Sequence, residues 1–375
     1  MLDPFCGSGT VLLEGVLSKR NTYGADANPL ARLIARVKVS RLDINEAESA
    51  LKRVVHSARR TKNVVIPEVV NREYWFHESI ISQLAKIRGA IAKESNPVLK
   101  EFLLVCFSNC VKKVSYADPR ISVPVRLNPG RYKKGSPINI NIINRLSQLE
   151  SIDVFNRFAV IVKENIGRFG LLQGINNRAE IISNDARCLA TDEYGYKLEN
   201  NSIQLIITSP PYAGAQKYVR ASSLNLGWTG LANVSDLANL DSQNIGRESY
   251  RKSDTILSIT GLLKADKLIE KIFLINPLRA KIVCNYIEEM KCALDEMIRV
   301  LKPNGFLVLI VGNNKVCNYE FNTQDYFTEY LVNQGLCLEF KLIDDIRSYG
   351  LMTKRNKTAD IISREWILVF KKNKQ

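Results

Sequence analysis

Asp3-Pro4-Phe5-Cys6-Gly7-Ser8-Gly9-Thr10 is the stretch that decides the fold. Met1 to Pro4 read as the end of a strand, and Thr10 to Lys19 as a helix with Val11, Leu12, Gly15 and Val16 along one side. Between them lie two glycines, which let backbone approach a ligand where a side chain would collide. The free N–H groups at such a helix start favour an anionic group nearby. Outward from this turn, Thr22 to Asp26 form a short strand, and Pro29 opens a second helix that runs to about Ser40. The expected architecture is therefore α/β, half of a doubly wound sheet. Asp26 closes the second strand 17 residues after Gly9, placed to accept hydrogen bonds from both hydroxyls of a ribose. A nicotinamide or flavin enzyme would share these features, although Leu12 stands where the third glycine of that fingerprint belongs.

A second stretch carries the chemistry. Ile203 to Thr208 is an apolar strand that runs straight into Ser209-Pro210-Pro211-Tyr212. Open α/β sheets bind ligands at that end of their strands. The prolines stiffen the loop and have no N–H of their own, so its carbonyls are free to accept from an incoming donor. Ser209 adds a hydroxyl acceptor, and Tyr212 a flat face on which a base can stack. An exocyclic amine suits such a site, with positioning as the main catalytic device. Methylation of a ring carbon would need a nucleophile such as cysteine after proline, and no Pro-Cys pair occurs in the chain.

The rest of the chain bounds the reading. It has 375 residues and a formal net charge of +15, which favours a polyanionic partner such as nucleic acid. Eight cysteines without a Cys-x-x-Cys pair, and only His56 and His77, argue against a zinc site or a histidine-dependent hydrolase. No metal is expected, and the thiols read as reduced. No apolar run approaches bilayer length, and the N-terminus lacks signal-peptide order, so the expected location is the cytoplasm with no membrane partner.

Glu78 to Lys93 and Pro97 to Val114 read as helices, followed by a proline-rich stretch. Lys100 to Lys134 carries eight Lys or Arg against Glu101 and Asp118. Ile140 to Ile166 reads as helix, Glu180 to Ser183 as a strand ending in Asn184-Asp185, and Tyr286 to Leu301 as helix. After the Lys302-Pro303-Asn304-Gly305 turn, Phe306 to Val311 is an apolar strand of the kind found inside a parallel sheet. Asp325 to Asn333 reads as helix, and Cys337–Ile343 and Glu365–Lys371 suit an antiparallel edge. The expected division is a first core segment over 1–55, a basic helical insertion over 56–140, and a second core segment with the catalytic loop over 141–375.

Asp3 to Thr10 resembles the first motif of the amino-methylating DNA methyltransferases, Asp-Pro-Phe-x-Gly-Ser-Gly-Thr, and Thr208 to Tyr212 resembles their catalytic motif. Ser-Pro-Pro-Tyr is the form typical of cytosine-N4 enzymes, whereas adenine-N6 enzymes more often begin with Asp or Asn. Gly24 to Pro29, Asn184-Asp185-Ala186, Arg299 to Gly305 and Lys357 to Trp366 are similar to further family segments. The resemblance implies a Rossmann-like, class I S-adenosylmethionine-dependent methyltransferase sheet with a helical insertion. It implies that Asp3, Phe5, Gly7 and Gly9 line the cofactor, that Asp26 binds its ribose and that Asp185 meets its adenine amine. Ser209, Pro210 and Pro211 hold the target amine, and Tyr212 stacks on a base flipped out of double-stranded DNA. In the family a cofactor-binding segment precedes the first motif or lies elsewhere after permutation. Here the chain begins two residues before Asp3, so either an upstream segment or a partner is expected to supply it. Target recognition falls either to the basic insertion or to the stretch with Lys217, Tyr218, Arg220, Trp228, Arg247, Arg251 and Lys252. Adenine N6, guanine N2 in RNA, and a nucleic-acid-binding subunit without catalysis are the competing readings.

Overall fold

The computed structural model describes residues 1–169, 177–191, 196–214, 218–248, 250, 259–346 and 364–374. Two compact units form. One comprises Met1–Arg36, Asn176–Lys217 and Leu240–Gln375, the other Val37–Ile175 and Tyr218–Asn239.

The first unit is built on a seven-stranded sheet. Its strands are β1 (Leu2–Asp3), β2 (Thr22–Ala25), β3 (Ala179–Ser183), β6 (Ile203–Thr208), β7 (Leu301–Gly312), β10 (Leu336–Asp345) and β11 (Arg364–Lys372). The small pairs β4 (Ala190–Thr191) with β5 (Tyr196–Lys197), and β8 (Asn314–Val316) with β9 (Tyr319–Phe321), stand apart from it. The spatial order is β10-β11-β7-β6-β1-β2-β3. Ladders from β3 through β7 are parallel, while β11 runs antiparallel to both β7 and β10. The expected edge pair forms in register, with Cys337 opposite Lys371 and Ile343 opposite Trp366.

The glycine turn feeds α1 (Thr10–Leu17), and α2 (Pro29–Val39) follows β2. Helix α12 (Pro277–Val300) starts nine residues before the expected Tyr286, because Asn276 caps it at Arg279 N and Pro277 opens its first turn. It buries Tyr286, Met290, Leu294 and Met297 against the sheet core that includes Leu307 and Leu309. The Lys302–Gly305 turn lies within β7 as a bulge. Ile203 pairs with Leu301 while Leu205 pairs with Phe306, and Asn304 takes the left-handed φ of 59°. Helices α11 (Leu263–Ile275) and α13 (Thr323–Asn333) belong to this unit, and α10 (Leu237–Gln243) spans the point at Leu240 where the chain returns to it.

The second unit is helical. It holds α3 (Ile44–Arg60), α4 (Arg72–Trp75), α5 (Glu78–Ala92), α6 (Pro97–Lys113), α7 (Pro137–Glu150), α8 (Val154–Ile166) and α9 (Tyr218–Thr229). It takes in more chain than 56–140, since α3 packs on α5 and α8, and α6 on α8 and α9. The single helix expected over Ile140–Ile166 is two, parted where Asp153 caps α8 at Asn156 N. Trp228 is fully buried between Phe76 and Phe107, with ring centroids 5.6 and 6.4 Å away, so it is a core residue of this unit and does not face a base. Lys217, Arg251, Lys252 and Lys357 to Ser363 lie outside the described residues.

Candidate active site

The connection order reverses at β1, whose neighbours are β2 on one side and β6 on the other. A crevice at the C-terminal ends of strands forms at such a point. Both motifs arrive there: β1 ends at Asp3 and β6 at Thr208, and the Thr208 hydroxyl donates to Asp3 Oδ1 at 2.6 Å. Phe5 N donates to the same oxygen at 3.1 Å. Asp3 is buried, and that burial pushes its carboxyl up to about 7, against the opposing pull of the Thr208 and Phe5 bonds.

The turn from Asp3 to Thr10 is closed by Gly9 N on Cys6 O at 2.7 Å and tied to β2 by Cys6 N on Ala25 O at 2.9 Å. Gly7 and Gly9 have φ of 50° and 75°. A Cβ at Gly9 would lie 2.8 Å from Ala35 Cβ, so packing as well as backbone conformation demands glycine there. A Cβ at Gly7 would meet nothing within 4 Å, which leaves an open face beside its backbone. Gly9 caps α1 without any side-chain bond to the first turn, so that turn keeps donors to offer a ligand.

Asp26 sits half-buried just past β2. Gly7 N donates to its Oδ2 at 2.9 Å and Asn28 N to its Oδ1 at 2.8 Å. The carboxylate thus braces the turn, and its remaining lone pairs are available to hydroxyl donors. Burial raises its pKa, with the two backbone donors and Arg32 pulling the other way. Arg32 also donates to Asp26 O and Ala27 O, at 2.6 and 3.0 Å.

Asp185 follows β3 at the same edge of the sheet. Arg187 grips it in a fork, Nε on Oδ1 at 2.9 Å and Nη2 on Oδ2 at 2.8 Å. Arg187 further donates to Gln243 O at 3.0 Å and lies 3.7 Å from Glu289, which Arg247 approaches to 3.1 Å. Burial raises the Glu289 pKa, opposed by Arg247 and Arg187. Arg247, a candidate for target recognition, is therefore committed to an ion-pair network.

In the Ser209 loop, Ser209 is exposed, Pro210 is buried, and Pro211 and Tyr212 are half-buried. The Tyr212 hydroxyl donates to a carboxylate oxygen of Glu365 on β11. Asn314 Nδ2 donates to Ala213 O at 2.8 Å. The structure thus gathers Asp3, Phe5, Gly7, Gly9, Asp26, Asp185 and Ser209 to Tyr212 along one edge of one sheet. Sequence reasoning gave no role to Thr208, Arg187, Asn314 or Glu365. Nothing in local spacing could reveal contacts that span 101 to 205 residues, and only Arg187, two positions after Asp185, carried a local signal. Among the described residues no cluster of three or more His, Cys, Asp or Glu is placed to hold a metal ion. A cavity of about 320 Å³ opens at the opposite edge of the sheet, lined by Met1, Tyr23, Ser202 and Leu205 among others, and neither motif borders it.

A parallel sheet in this order, with one antiparallel strand inserted second from its edge, a glycine turn after β1 and an acid after β2, defines the class I S-adenosylmethionine-dependent methyltransferase fold. No protein-family model matches the chain. Its sequence is similar to the type II methyltransferase M.MvaI of Kocuria varians, 23% identical over 344 residues, covering 84% of this chain and 70% of that protein. It is also similar to M.AvaI of Nostoc sp. (strain PCC 7120), 23% identical over 346 residues, 84% of this chain and 68% of that one. Both relatives are type II methyltransferases, and the likeness supports a DNA methyltransferase family for this chain. A candidate DNA modification methylase of Thermus thermophilus, solved with S-adenosyl-L-methionine, overlaps 51% of this chain and 54% of its own at 16% identity and a TM-score of 0.26, an overlay too loose to inform the chemistry here.

Proposed function

We propose that the chain methylates the exocyclic N4 amine of cytosine in double-stranded DNA, using S-adenosylmethionine. The Thr208–Asp3 bond carries this reading, because it locks the strand end that opens the Ser209 loop to the strand end that opens the glycine turn. The residues present fit the cofactor: the face beside Gly7 is open, and α1 starts with uncapped donors. Asp26 lies beside that turn and Asp185 lies past the next strand. When bound, the cofactor supplies a methyl group on a sulfonium.

Phe5, Gly7 and Gly9 would shape the cleft, Asp26 accept the ribose hydroxyls and Asp185 the adenine amine. Ser209 Oγ and the Pro210 carbonyl would accept the two N–H bonds of the target amine. That aims its lone pair at the methyl carbon and withdraws it from conjugation with the ring. With its two N–H bonds held by Ser209 Oγ and the Pro210 carbonyl, the amine would release one proton to solvent as it took up the methyl group. Tyr212 would stack on the flipped base, offsetting the few kcal/mol that extrusion costs. The serine at position 209 favours cytosine over adenine. The helical unit supports DNA as the partner: it carries 24 Lys and Arg against 13 Asp and Glu, which is +11 of the chain's +15. No helix among the described residues is long and apolar enough to cross a membrane.

The test is incubation of the purified chain with methyl-labelled S-adenosylmethionine and unmethylated genomic DNA, followed by nucleoside mass spectrometry. N4-methylcytosine is the expected product. N6-methyladenine would overturn the base assignment, and label confined to RNA would overturn the DNA substrate.

A further inference from the structure

The geometry points to Glu365 as a positioning residue for the loop that holds the target amine. This rests on the reading of that loop given above. Strand β11 is the one antiparallel member of the sheet, so its first residues arrive at the edge where the parallel strands end. There Glu365 lies opposite Gly312 of β7 and Asp344 of β10, and its carboxylate accepts the Tyr212 hydroxyl across 153 residues of sequence.

The backbone on either side of Tyr212 is already held. Pro210 and Pro211 fix their own φ. Asn314, itself 9% exposed, donates to Ala213 O at 2.8 Å. Gly246, at φ 78°, approaches so closely that a Cβ there would lie 2.9 Å from Tyr212 O. Glu365 adds a further tether to this loop, at the far end of the Tyr212 side chain. A hydroxyl donating to a carboxylate is among the stronger hydrogen bonds, and it holds the long axis of the ring from its far end. On the reading given above, a base stacked on a ring held there would present its amine to Ser209. Glu365 touches neither base nor cofactor in this arrangement. It acts through Tyr212, by fixing the stacking face before the base arrives.

Three variants of the full chain test this: Glu365→Ala, Glu365→Gln and Tyr212→Phe, with the Ala/Phe double variant. Hydrogen exchange at residues 212–214 reads the loop directly. Methyl transfer to unmethylated genomic DNA and the Kd for S-adenosylmethionine read its consequence. Glu365→Ala should speed exchange about tenfold and lower kcat about tenfold, with the cofactor Kd unchanged. Glu365→Gln, which keeps an oxygen acceptor, should recover most of both. The double variant should be no worse than the worse single one, because both remove the same bond. Unaltered exchange in Glu365→Ala would overturn the inference, as would additive losses or an equal loss of cofactor affinity. An unmodified chain that transfers no methyl group would sink the catalytic reading, while the exchange arm would still decide whether Glu365 holds the loop.

Discussion

The hydroxyl of Thr208 donates to the carboxyl of Asp3 at 2.6 Å, joining the ends of two adjacent parallel strands that lie 205 residues apart in sequence. Thr208 is fully buried and Asp3 is 4% exposed, so the bond is shielded from water. Removing the hydroxyl leaves a buried acceptor short of a donor, which costs about 1–3 kcal/mol. Thr208→Val should therefore lower the urea midpoint without changing the slope of the transition, and Thr208→Ser should lower it less. An unchanged midpoint in Thr208→Val would show that the bond contributes nothing.

The same pair makes stability depend on pH. Burial raises the Asp3 carboxyl to about 7 from the ordinary 3.8, so the folded chain keeps a proton that the unfolded chain releases. Its contribution is fully present below about pH 4 and is lost as pH rises through about 7, at up to about 1.4 kcal/mol per pH unit. Asp26 and Glu289 are raised by burial as well and slope the same way. Comparison with Asp3→Asn isolates Asp3: the difference in unfolding free energy between the two chains should shrink from pH 4.5 to 7.5 and then level off. Parallel curves across that range would mean that Asp3 titrates alike in both states.

Gly9 and Gly7 separate folding from binding. Both are left-handed, which costs an alanine about 1–2 kcal/mol. Only at Gly9 would the new methyl also press on Ala35, at 2.8 Å. Gly9→Ala should lower the melting temperature the more of the two. Gly7→Ala should fold nearly as well but weaken S-adenosylmethionine binding at least tenfold, because its methyl enters the open face. Calorimetry on both variants checks the split, and equal melting points would refute it.

The placement of the candidate site could be read from residues 3–10 and 209–212, because glycine, proline and strand-end acids declare their backbone roles locally. The sheet was equally legible where strands are apolar throughout, as Ile203–Thr208 and Phe306–Val311 are. The helical unit was not. Helix α3 buries Ala47, Ala50, Leu51 and Val54, but its charged outer face masks that stripe. Trp228 looked like an aromatic available to a base, and only the packing of α9 against α6 shows it to be core. Glu365 lies in a stretch similar to a family segment but its role there was not legible, and Asn314 carries no local signal, since their meaning lies in partners more than 100 residues away.

On the proposed reading, Ser209 acts on the target amine and Asp26 on the cofactor. Ser209 is exposed at the loop entrance, so Ser209→Ala should leave the fold and the cofactor Kd nearly intact and reduce methyl transfer about a hundredfold. Asp26 holds Gly7 N and Asn28 N, so Asp26→Ala should weaken cofactor binding and also loosen the glycine turn. Single-turnover rates at saturating cofactor separate the two. Equal loss of both properties in both variants would contradict the assignment.

DNA affinity should depend steeply on salt, and the source of that dependence can be placed. A protein that neutralises Z phosphates loses affinity with a slope of about −0.9Z in log–log coordinates. The helical unit holds most of the net positive charge, and Arg131, Lys133 and Lys134 are exposed together at the end of its proline-rich stretch. Changing these three to glutamine should flatten the slope by about 2 to 3 and weaken binding to all sequences alike, since phosphate contacts carry no base information. The same change at Lys264, Lys267 and Lys271, exposed on α11 of the sheet unit, should leave the slope as it was. Fluorescence anisotropy with duplexes of unrelated sequence, at several salt concentrations, measures both. If only the α11 variant flattens the slope, the phosphate-binding surface belongs to the sheet unit, and the basic helical unit has another use.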